Sequence, residues 1–330
     1  MKILTIVVPA YNVEKYLQRC LDSVKLESVM PDIEVLIVND GSKDKTPEIA
    51  AGYERDYPQT YRLINKENGG HGSTINTGIK NATGKYFKVV DGDDWLNPDE
   101  VEEYVKVLKT TDADVVATDF QCVQDETYNL LESWQATSIE EHYGRTVEID
   151  SGEIKDPIKL HSFTIKTKIL QENNITVDEH SFYVDSEFVF YPIKYVETVY
   201  YHKAKVYMYR LGRDGQSMNM ASMQRNINQH LTVLKHLLED YDECKDRLTP
   251  EKRRYIERGI SLVVEIQFKI YISMGLKKGT REQCKAWDME LKQKYPEVYA
   301  ATRKKSIDMI RKTDYRILPI GAIMLKVVKG

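Results

Sequence analysis

Residues 86–95 read YFKVVDGDDW, and this stretch carries most of the information about the fold. Its first half is apolar or aromatic around a single lysine, which is typical of a buried strand. Its second half places three carboxylates within four positions, at Asp91, Asp93 and Asp94. Ligands of parallel α/β sheets bind beyond the carboxyl ends of the strands. The stretch therefore predicts a buried strand that delivers acidic side chains to a binding edge.

Three more strands are predicted upstream, at residues 3–8, 33–38 and 61–64, and the segments between them have helical periodicity. Strands that are apolar on both faces and alternate with helices indicate a parallel sheet covered on both sides. Polar residues follow the first, second and fourth strands, and the Gly-rich residues 68–72 open the third helix. We therefore predict an α/β fold, with a mostly parallel central sheet flanked by helices and its site at one sheet edge.

The acidic cluster after the fourth strand is a candidate metal site. Crowded carboxylates repel one another unless a cation neutralises them, and hard oxygen ligands suit Mg²⁺ or Mn²⁺. A metal held there would bridge the diphosphate of a nucleotide substrate and stabilise the charge that grows on the leaving group. The alternative is an ordinary acidic turn, because Asp and Gly are common turn residues.

Two residues at the ends of the first two strands are candidates for nucleoside contact. Asp40 is well placed to accept a hydrogen bond from a nucleobase or ribose, and its alternative is a capping residue of the helix that follows. Tyr11 is a candidate for stacking on the base, and its alternative is a packing aromatic.

The Gly-rich loop is a candidate anion site. Asn68, Gly70 and His71 lie where backbone N–H groups at a helix N-terminus attract phosphate. The loop matches neither the dinucleotide-binding motif nor the P-loop motif. His71 is a candidate phosphate contact, and its alternative is a solvated loop histidine.

The composition is that of a folded protein: 42% of the 330 residues are hydrophobic and 30% are charged. A formal net charge of −4 gives no reason to expect nucleic acid as a partner. The four cysteines lie far apart without a C-x-x-C pair, which fits free thiols in a reducing cytosol. No stretch approaches the roughly 20 apolar residues that span a bilayer. We expect a cytoplasmic protein, either soluble or held peripherally at the inner face of the cell membrane.

Taken together, the motifs resemble those of the family 2 glycosyltransferases, which have the GT-A fold. The stretches that carry the resemblance are residues 7–12 (VVPAYN), 38–44 (VNDGSKD), 68–78 and 86–95, with a weaker match at 206–210 and 215–217. The resemblance implies an inverting glycosyltransferase that uses a divalent metal and a nucleotide sugar, most often a UDP-sugar.

The resemblance also implies roles for individual residues. Pro9, Tyr11 and Asp40 would hold the nucleoside. Asp91 and Asp93 would form the D-x-D element, with Asp93 as the direct metal ligand and Asp94 in support.

The general base of the family lies in an acidic pair that introduces a helix, and Asp185 matches it. An inverting transfer needs one carboxylate to take the proton of the acceptor hydroxyl. Two alternatives stay open: Asp185 as the N-cap of a helix over residues 188–193, and Glu187 as the base.

Two positions depart from the family pattern. Ile75 stands where many relatives have an arginine that contacts the diphosphate, so this contact is either missing or supplied by His71, Lys80 or Arg210. Val184 replaces the usual acid before the base, which indicates a different mode of acceptor binding.

The domain organisation follows from these patterns. We assign residues 1–97 to nucleotide-sugar binding, 98–220 to acceptor binding and 221–330 to a helical C-terminal region. Residues 301–330 hold eight Lys or Arg and two Asp around a short apolar run. This segment predicts either contact with an anionic membrane surface or a helix that packs on the protein with a solvated basic face.

The function predicted is sugar transfer to a hydroxyl of a glycan or lipid-linked acceptor, in the synthesis of a surface polysaccharide or glycolipid. One rival is a sugar nucleotidyltransferase, which is expected to carry a basic Gly-rich loop directly after the first strand. The other rival is a non-catalytic module that binds nucleotide sugars and needs no general base.

Overall fold

The computed structural model describes residues 2–212 and 219–327, with side chains described as far as residue 324. The chain divides into two compact units, Met1–Arg213 and Asp214–Gly330. The division lies a few residues before the predicted start of the helical region at residue 221. Residues 215–217, which carry part of the family resemblance, lie outside the described residues, as does Lys329 of the basic tail.

The first unit is built on a ten-stranded sheet. Its strands are β1 (Leu4–Ala10), β2 (Ile33–Asn39), β3 (Tyr61–Asn65), β4 (Tyr86–Val89), β5 (Trp95–Leu96), β6 (Val115–Gln124), β7 (Leu130–Trp134), β8 (Thr146–Glu148), β9 (Phe163–Lys166) and β10 (Thr198–Leu211).

The strand order is β3-β2-β1-β4-β9-β6-β10-β5, with β7 on β6 and β8 on β10. The strands β3, β2, β1 and β4 are parallel, as predicted. Strand β9 runs antiparallel to β4 and β6 and joins this part to the parallel pair β6 and β10. The sheet is therefore purely parallel where the predicted donor site lies and mixed beyond it.

Strand β1 lies in the middle of the parallel part, and all seven of its residues are buried. Its Val- and Ile-rich sequence suits a strand that is covered on both faces. Pro9 is tolerated in this central strand because β4 ends at Val89, which pairs with Val7. The missing N–H of Pro9 therefore costs no hydrogen bond to β4.

The helices of the first unit are α1 (Leu17–Asp22), α2 (Thr46–Asp56), α3 (His71–Asn81), α4 (Pro98–Thr110), α5 (Thr167–Glu172) and α6 (Asp185–Phe190). The helices predicted between the first four strands are confirmed as α1, α2 and α3. Helix α4 begins as its sequence suggests, because Asn97 caps it through the Asp99 N–H and Pro98 occupies the first turn.

The second unit is helical in its described part. Its helices are α7 (Met220–Arg225), α8 (Ile227–Cys244), α9 (Pro250–Ser273), α10 (Thr280–Lys294), α11 (Pro296–Ala301), α12 (Lys305–Lys312) and α13 (Leu318–Val327). Among the described residues, every helix is either too short or too polar to cross a bilayer.

Candidate active site

Three strand ends meet at one edge of the sheet and form the candidate site. Ala10 at the end of β1 is in register with Asn39 at the end of β2, and Val89 at the end of β4 pairs with Val7. The residues that follow these strands therefore lie side by side, as the sequence predicts. The Gly-rich loop joins them from the start of α3.

The acidic loop after β4 is held in place by backbone contacts. The Gly92 N–H donates to the Pro9 carbonyl at 3.1 Å, and the Asp94 N–H donates to the Asp91 carbonyl at 2.9 Å. A Cβ on Gly92 would lie 2.9 Å from the Pro9 oxygen, so this close approach requires glycine. Pro9 is buried, and the structure shows it positioning the acidic loop.

The three carboxylates of this loop differ in burial. Asp91 and Asp93 are partly exposed at the sheet edge, whereas Asp94 is 2% exposed. The Asp94 carboxylate accepts hydrogen bonds from the Tyr207 hydroxyl at 2.7 Å and the Arg210 N–H at 2.8 Å. Burial, and then the charges of Asp93 and Asp91, raise the pKa of Asp94 well above its usual value. Asp94 therefore ties the loop to β10, whereas Asp91 and Asp93 are the two acids of the loop whose side chains are partly exposed.

Arg210 and Lys80 are poor candidates for the diphosphate contact. Arg210 is 1% exposed, and its guanidinium donates to the Asp93 carbonyl at 2.7 Å and to the Asp125 carboxylate at 2.9 Å. Lys80 lies near the far end of α3 from the site, about 13 Å along the helix axis from His71. Of the three residues proposed to replace the missing arginine, only His71 lies at the site with a partly exposed side chain.

Asp40 organises the Gly-rich loop. Its carboxylate accepts hydrogen bonds from the Gly69 and Gly70 N–H groups at 2.9 and 2.8 Å and from Lys66 Nζ at 3.0 Å. Asn68 Nδ2 donates to the Asp40 carbonyl at 2.9 Å. Asp40 is 2% exposed, so its contact with a nucleoside stays a prediction beside this structural role.

The alternative that Asp40 caps the following helix is wrong. Helix α2 begins at Thr46, whose N–H donates to the Asp44 carboxylate at 3.0 Å. Tyr11 directly follows β1 and is 49% exposed, so its ring is available to a ligand at the sheet edge. Its contact with a base also stays a prediction.

His71 lies between the acidic loop and the predicted base. Its Nδ1 is 3.6 Å from Asp91 Oδ1, and its Nε2 is 3.4 Å from Asp185 Oδ1. Burial by itself lowers the pKa of the imidazole, but the carboxylates of Asp91 and Asp185 raise it above its usual value, with further contributions from Asp93 and Asp40. His71, the predicted phosphate contact, therefore lies in one cluster with Asp91, a predicted metal ligand, and Asp185, the predicted general base.

The structure separates the two candidate bases. Asp185 is the first residue of α6, and its side chain is 51% exposed. Glu187 is fully buried, and its carboxylate accepts a hydrogen bond from the Asp178 N–H at 2.7 Å. The alternative that Asp185 caps a helix over residues 188–193 is wrong, because α6 begins at Asp185 itself.

Some site residues were not found by sequence reasoning. Tyr207 and Asp125 hold Asp94 and Arg210, and Lys66 bridges the Asp40 carboxylate and the Ser73 hydroxyl at 3.0 and 2.8 Å. The signal for Lys66 was its place between the end of β3 and the Gly-rich loop. Tyr207 lies within the weaker family match at 206–210, but nothing in that match indicates its bond to Asp94, and Asp125 lies in no motif.

Comparison with protein families matches residues 5–173 to the model described as Glycosyl transferase family 2. The match covers just over half of the chain and includes β1 to β4, the Gly-rich loop and the acidic loop. The chain belongs to glycosyl transferase family 2. The resemblance deduced from the motifs is thus confirmed.

Several curated relatives of this family 2 chain are named glycosyltransferases. Glycosyltransferase GlyA of Streptococcus pneumoniae is 40% identical over 118 residues, which are 36% of this chain and 16% of the relative. Uncharacterized glycosyltransferase EpsJ of Bacillus subtilis is 40% identical over 119 residues, 36% of this chain and 34% of the relative. The aligned region thus spans well under half of each of these two relatives.

Two solved structures share the fold of this chain. S. aureus TarS (residues 1–349) in complex with UDP superposes with a TM-score of 0.63 at 18% identity, covering 98% of this chain and 88% of TarS. Mannosyltransferase PcManGT from Pyrobaculum calidifontis, in complex with GDP-Man and Mn²⁺, gives a TM-score of 0.51 at 15% identity, covering 97% and 86%. The predicted GT-A fold of this family 2 chain is confirmed.

Proposed function

We propose that this chain transfers a sugar from a nucleoside-diphosphate sugar, with a UDP-sugar as the first candidate, to a hydroxyl group of a glycan or lipid-linked acceptor. One observation carries the proposal: Asp91 and Asp185 lie on either side of His71, at 3.6 and 3.4 Å. An acidic pair for the donor and an exposed carboxylate for the acceptor are the two parts that a metal-assisted, inverting sugar transfer uses.

The nucleotides and nucleotide sugars bound in solved structures of similar fold support the choice of substrate. The TarS structures contain UDP or UDP-GlcNAc, and the PcManGT structure contains GDP-Man with Mn²⁺. The parallel part of the sheet ends in Tyr11 and the Gly-rich loop, which suit a base and a diphosphate. The nucleoside, the sugar and the acceptor are part of the proposal.

Asp91 and Asp93 fit a divalent metal. Their side chains are partly exposed and lie within one tight turn. Mg²⁺ and Mn²⁺ prefer hard carboxylate oxygens as ligands. Asp94 is already engaged by Tyr207 and Arg210, so the metal would be held by the other two. When bound, the metal would neutralise the charge that develops on the leaving diphosphate.

Asp185 is the proposed general base. Its exposed carboxylate accepts the proton of the acceptor hydroxyl as that oxygen attacks the anomeric carbon from the face opposite the diphosphate. This arrangement inverts the anomeric configuration. Val184 is 1% exposed and packs in the core, so Asp185 acts without an acidic neighbour at that position.

We also propose that the chain works in the cytoplasm at the surface of an anionic membrane. The net charge of residues 301–330 is positive, and α13 exposes Ile320, Ile323 and Met324 by 58%, 53% and 63%. Apolar side chains beside basic residues suit a peripheral contact with anionic lipid.

The test is release of nucleoside diphosphate from a panel of UDP-, GDP- and dTDP-sugars, with Mn²⁺ and with EDTA. We expect metal-dependent turnover of one donor, lost in Asp93→Ala. Asp185→Asn should lower transfer about 10²- to 10⁴-fold while Mn²⁺-dependent binding of UDP persists. Asp246→Asn, an exposed aspartate of the second unit, is the matched control and should retain full activity.

Two results would contradict the proposal. The absence of turnover with every donor, together with metal-dependent nucleotide binding, would leave a non-catalytic nucleotide-sugar-binding module. Release of pyrophosphate from a nucleoside triphosphate and a sugar phosphate would indicate a nucleotidyltransferase instead.

A further inference from the structure

His71 occupies a position that its sequence motif does not explain. It is the first residue of α3 and follows Gly70, whose φ of +83° turns the loop into the helix. Its side chain is 26% exposed, and its two ring nitrogens face different carboxylates. Nδ1 faces Asp91 of the proposed metal site, and Nε2 faces Asp185, the proposed base.

The contact between His71 and Asp185 is supported by the backbone on both sides. The His180 N–H donates to the Gly69 carbonyl at 2.5 Å. Asn76 of α3 exchanges two hydrogen bonds with the backbone of Val177, each 2.9 Å long. The segment that leads into Asp185 is therefore fastened to the Gly-rich loop and the first turns of α3, and His71 is held against Asp185.

An exposed carboxylate acts more effectively as a base when a partner fixes its rotamer. Asp185 is half exposed at a helix start, where an unsupported side chain samples several rotamers. A base must lie within hydrogen-bond reach of the proton that it takes, and a misplacement of about 1 Å costs about 100-fold in rate. At 3.4 Å, His71 Nε2 forms no hydrogen bond with Asp185 in this structure. Hydrogen bonds of catalytic pairs are often long without substrate and tighten when it binds.

We infer that His71 is a positioning residue for the base: its Nε2–H donates to the Asp185 carboxylate and holds it toward the donor. This inference rests on the proposed function. It assigns His71 a role in the acceptor half of the reaction, in place of the phosphate contact that the Gly-rich loop suggests. Ile75, which stands at the position of the family's arginine, is buried and apolar and can make neither a phosphate contact nor a hydrogen bond to the base.

Two substitutions separate the contacts of the two ring nitrogens. The amide nitrogen of His71→Gln takes the place of Nε2 and still reaches Asp185, whereas that of His71→Asn takes the place of Nδ1 and reaches only toward Asp91. We expect kcat to fall about 10- to 100-fold in His71→Ala and His71→Asn, as for lost outer-shell partners. His71→Gln should recover most of that loss. The KM for the donor and the Mn²⁺-dependent affinity for UDP, measured by calorimetry, should change less than about 3-fold in all three.

A spectroscopic measurement tests the contact without turnover. In ¹⁵N-histidine-labelled full chain, the ring signals of His71 are identified by their loss in His71→Gln. Asp185→Asn should shift those signals and leave the other histidines unchanged. His202→Gln, which removes a partly exposed histidine on β10, is the control and should match the wild type in kcat and in the His71 signals.

The outcomes are distinct. Equal kcat in the Gln and Asn variants, or a loss of UDP affinity as large as the loss of kcat, would overturn the positioning role. Unchanged His71 signals in Asp185→Asn would also overturn it. A wild-type protein that transfers no sugar would instead refute the proposed function, and the ring signals would still report whether His71 and Asp185 touch.

Discussion

At the scale of single residues, neighbouring carboxylates take different roles because their surroundings differ. Asp91, Asp93 and Asp94 lie within four positions, yet only Asp94 is withdrawn from solvent and bound by Tyr207 and Arg210. Its raised pKa reflects burial beside two other acids. Asp94, which is buried and hydrogen-bonded, holds the loop, whereas Asp91 and Asp93 stay partly exposed at the sheet edge.

Lys88 is a second residue whose state is set by burial. It lies in β4, is fully buried, and donates to the carbonyls of His161 and Phe163 at 2.9 and 3.3 Å. Burial lowers the pKa of its amine to about 7. A neutral amine keeps two N–H groups, which is enough for the two carbonyls.

This state makes stability depend on pH in a defined direction. Between about pH 7 and 10, the unfolded chain holds a proton on Lys88 that the folded chain has released, so the free energy of unfolding rises with pH. One proton contributes at most about 1.4 kcal/mol per pH unit. We expect Lys88→Met to flatten the rise of the urea midpoint between pH 7 and 9.5.

The control for this measurement is Lys106→Met, at an exposed position of α4. The hydrogen bond and charge of Glu102 raise the pKa of Lys106, so it stays protonated in both states over this range. Its removal should leave the slope of the wild type. Equal slopes in Lys88→Met and the wild type would show that Lys88 is charged in the folded protein.

At the scale of elements, the start of α3 connects the Gly-rich loop, proposed to bind the donor, with the segment that leads to Asp185, the proposed base. A Cβ on Gly72 would lie 2.0 Å from the Asp178 carbonyl oxygen. The helix and the segment before α6 therefore approach more closely than any side chain allows. This close approach between Gly72 and Asp178 therefore helps to position Asp185, which follows several residues after Asp178.

Gly72→Ala should accordingly disturb both stability and catalysis. We expect the inserted methyl group to push the segment around Asp178 away, at a cost of about 1–3 kcal/mol in stability. The kcat for sugar transfer should fall, while the Mn²⁺-dependent affinity for UDP changes little. Urea unfolding and steady-state kinetics on the same preparations measure the two effects.

Gly52→Ala is the matched control for this substitution. Gly52 lies inside α2, and the nearest atom to its added Cβ is 4.0 Å away, at the end of the Arg55 side chain. Alanine is the better helix former by about 0.5–1 kcal/mol, so this variant should be more stable and fully active. A Gly72→Ala protein that behaves like Gly52→Ala would disprove the close approach.

The sequence pattern was sufficient to locate β1 to β4 and the helices between them, and β1, β2 and β4 are almost wholly buried, as their apolar runs indicate. It was also sufficient to bring Asp40, His71 and Asp91 to one edge, since parallel strands end together. Periodicity could not predict the separate role of Asp94. Its partner Tyr207 lies 113 residues away along the chain, and local patterns hold no information about such pairs.

At the scale of the whole molecule, each unit has its own core. The first packs helices on the sheet, and the second buries apolar residues of α8 and α9 such as Leu237 and Phe268. The second unit also buries an ion pair, in which Arg311 Nη2 lies 2.8 Å from Asp288 Oδ1 and Asp288 is fully buried. Deleting the chain from Arg311 onward would strand Asp288 as a buried unpaired charge.

The proposed membrane contact is therefore best tested by substitution. Ile320→Gln with Ile323→Gln removes two apolar side chains that are 58% and 53% exposed on α13. The control is Leu130→Gln with Leu131→Gln, which are 57% and 53% exposed on β7. The two pairs of substitutions remove similar exposed apolar surface. A difference in vesicle binding between them therefore shows that the contact is specific to α13.

We expect the full chain to sediment with vesicles of phosphatidylglycerol and phosphatidylcholine, and less so as salt screens the basic tail. The α13 pair should weaken binding about 10-fold or more, because two side chains no longer enter the lipid. The β7 pair should bind like the wild type. If both pairs bind equally well, the apolar face of α13 does not enter the lipid, and any attraction to the vesicles is carried by the basic residues alone.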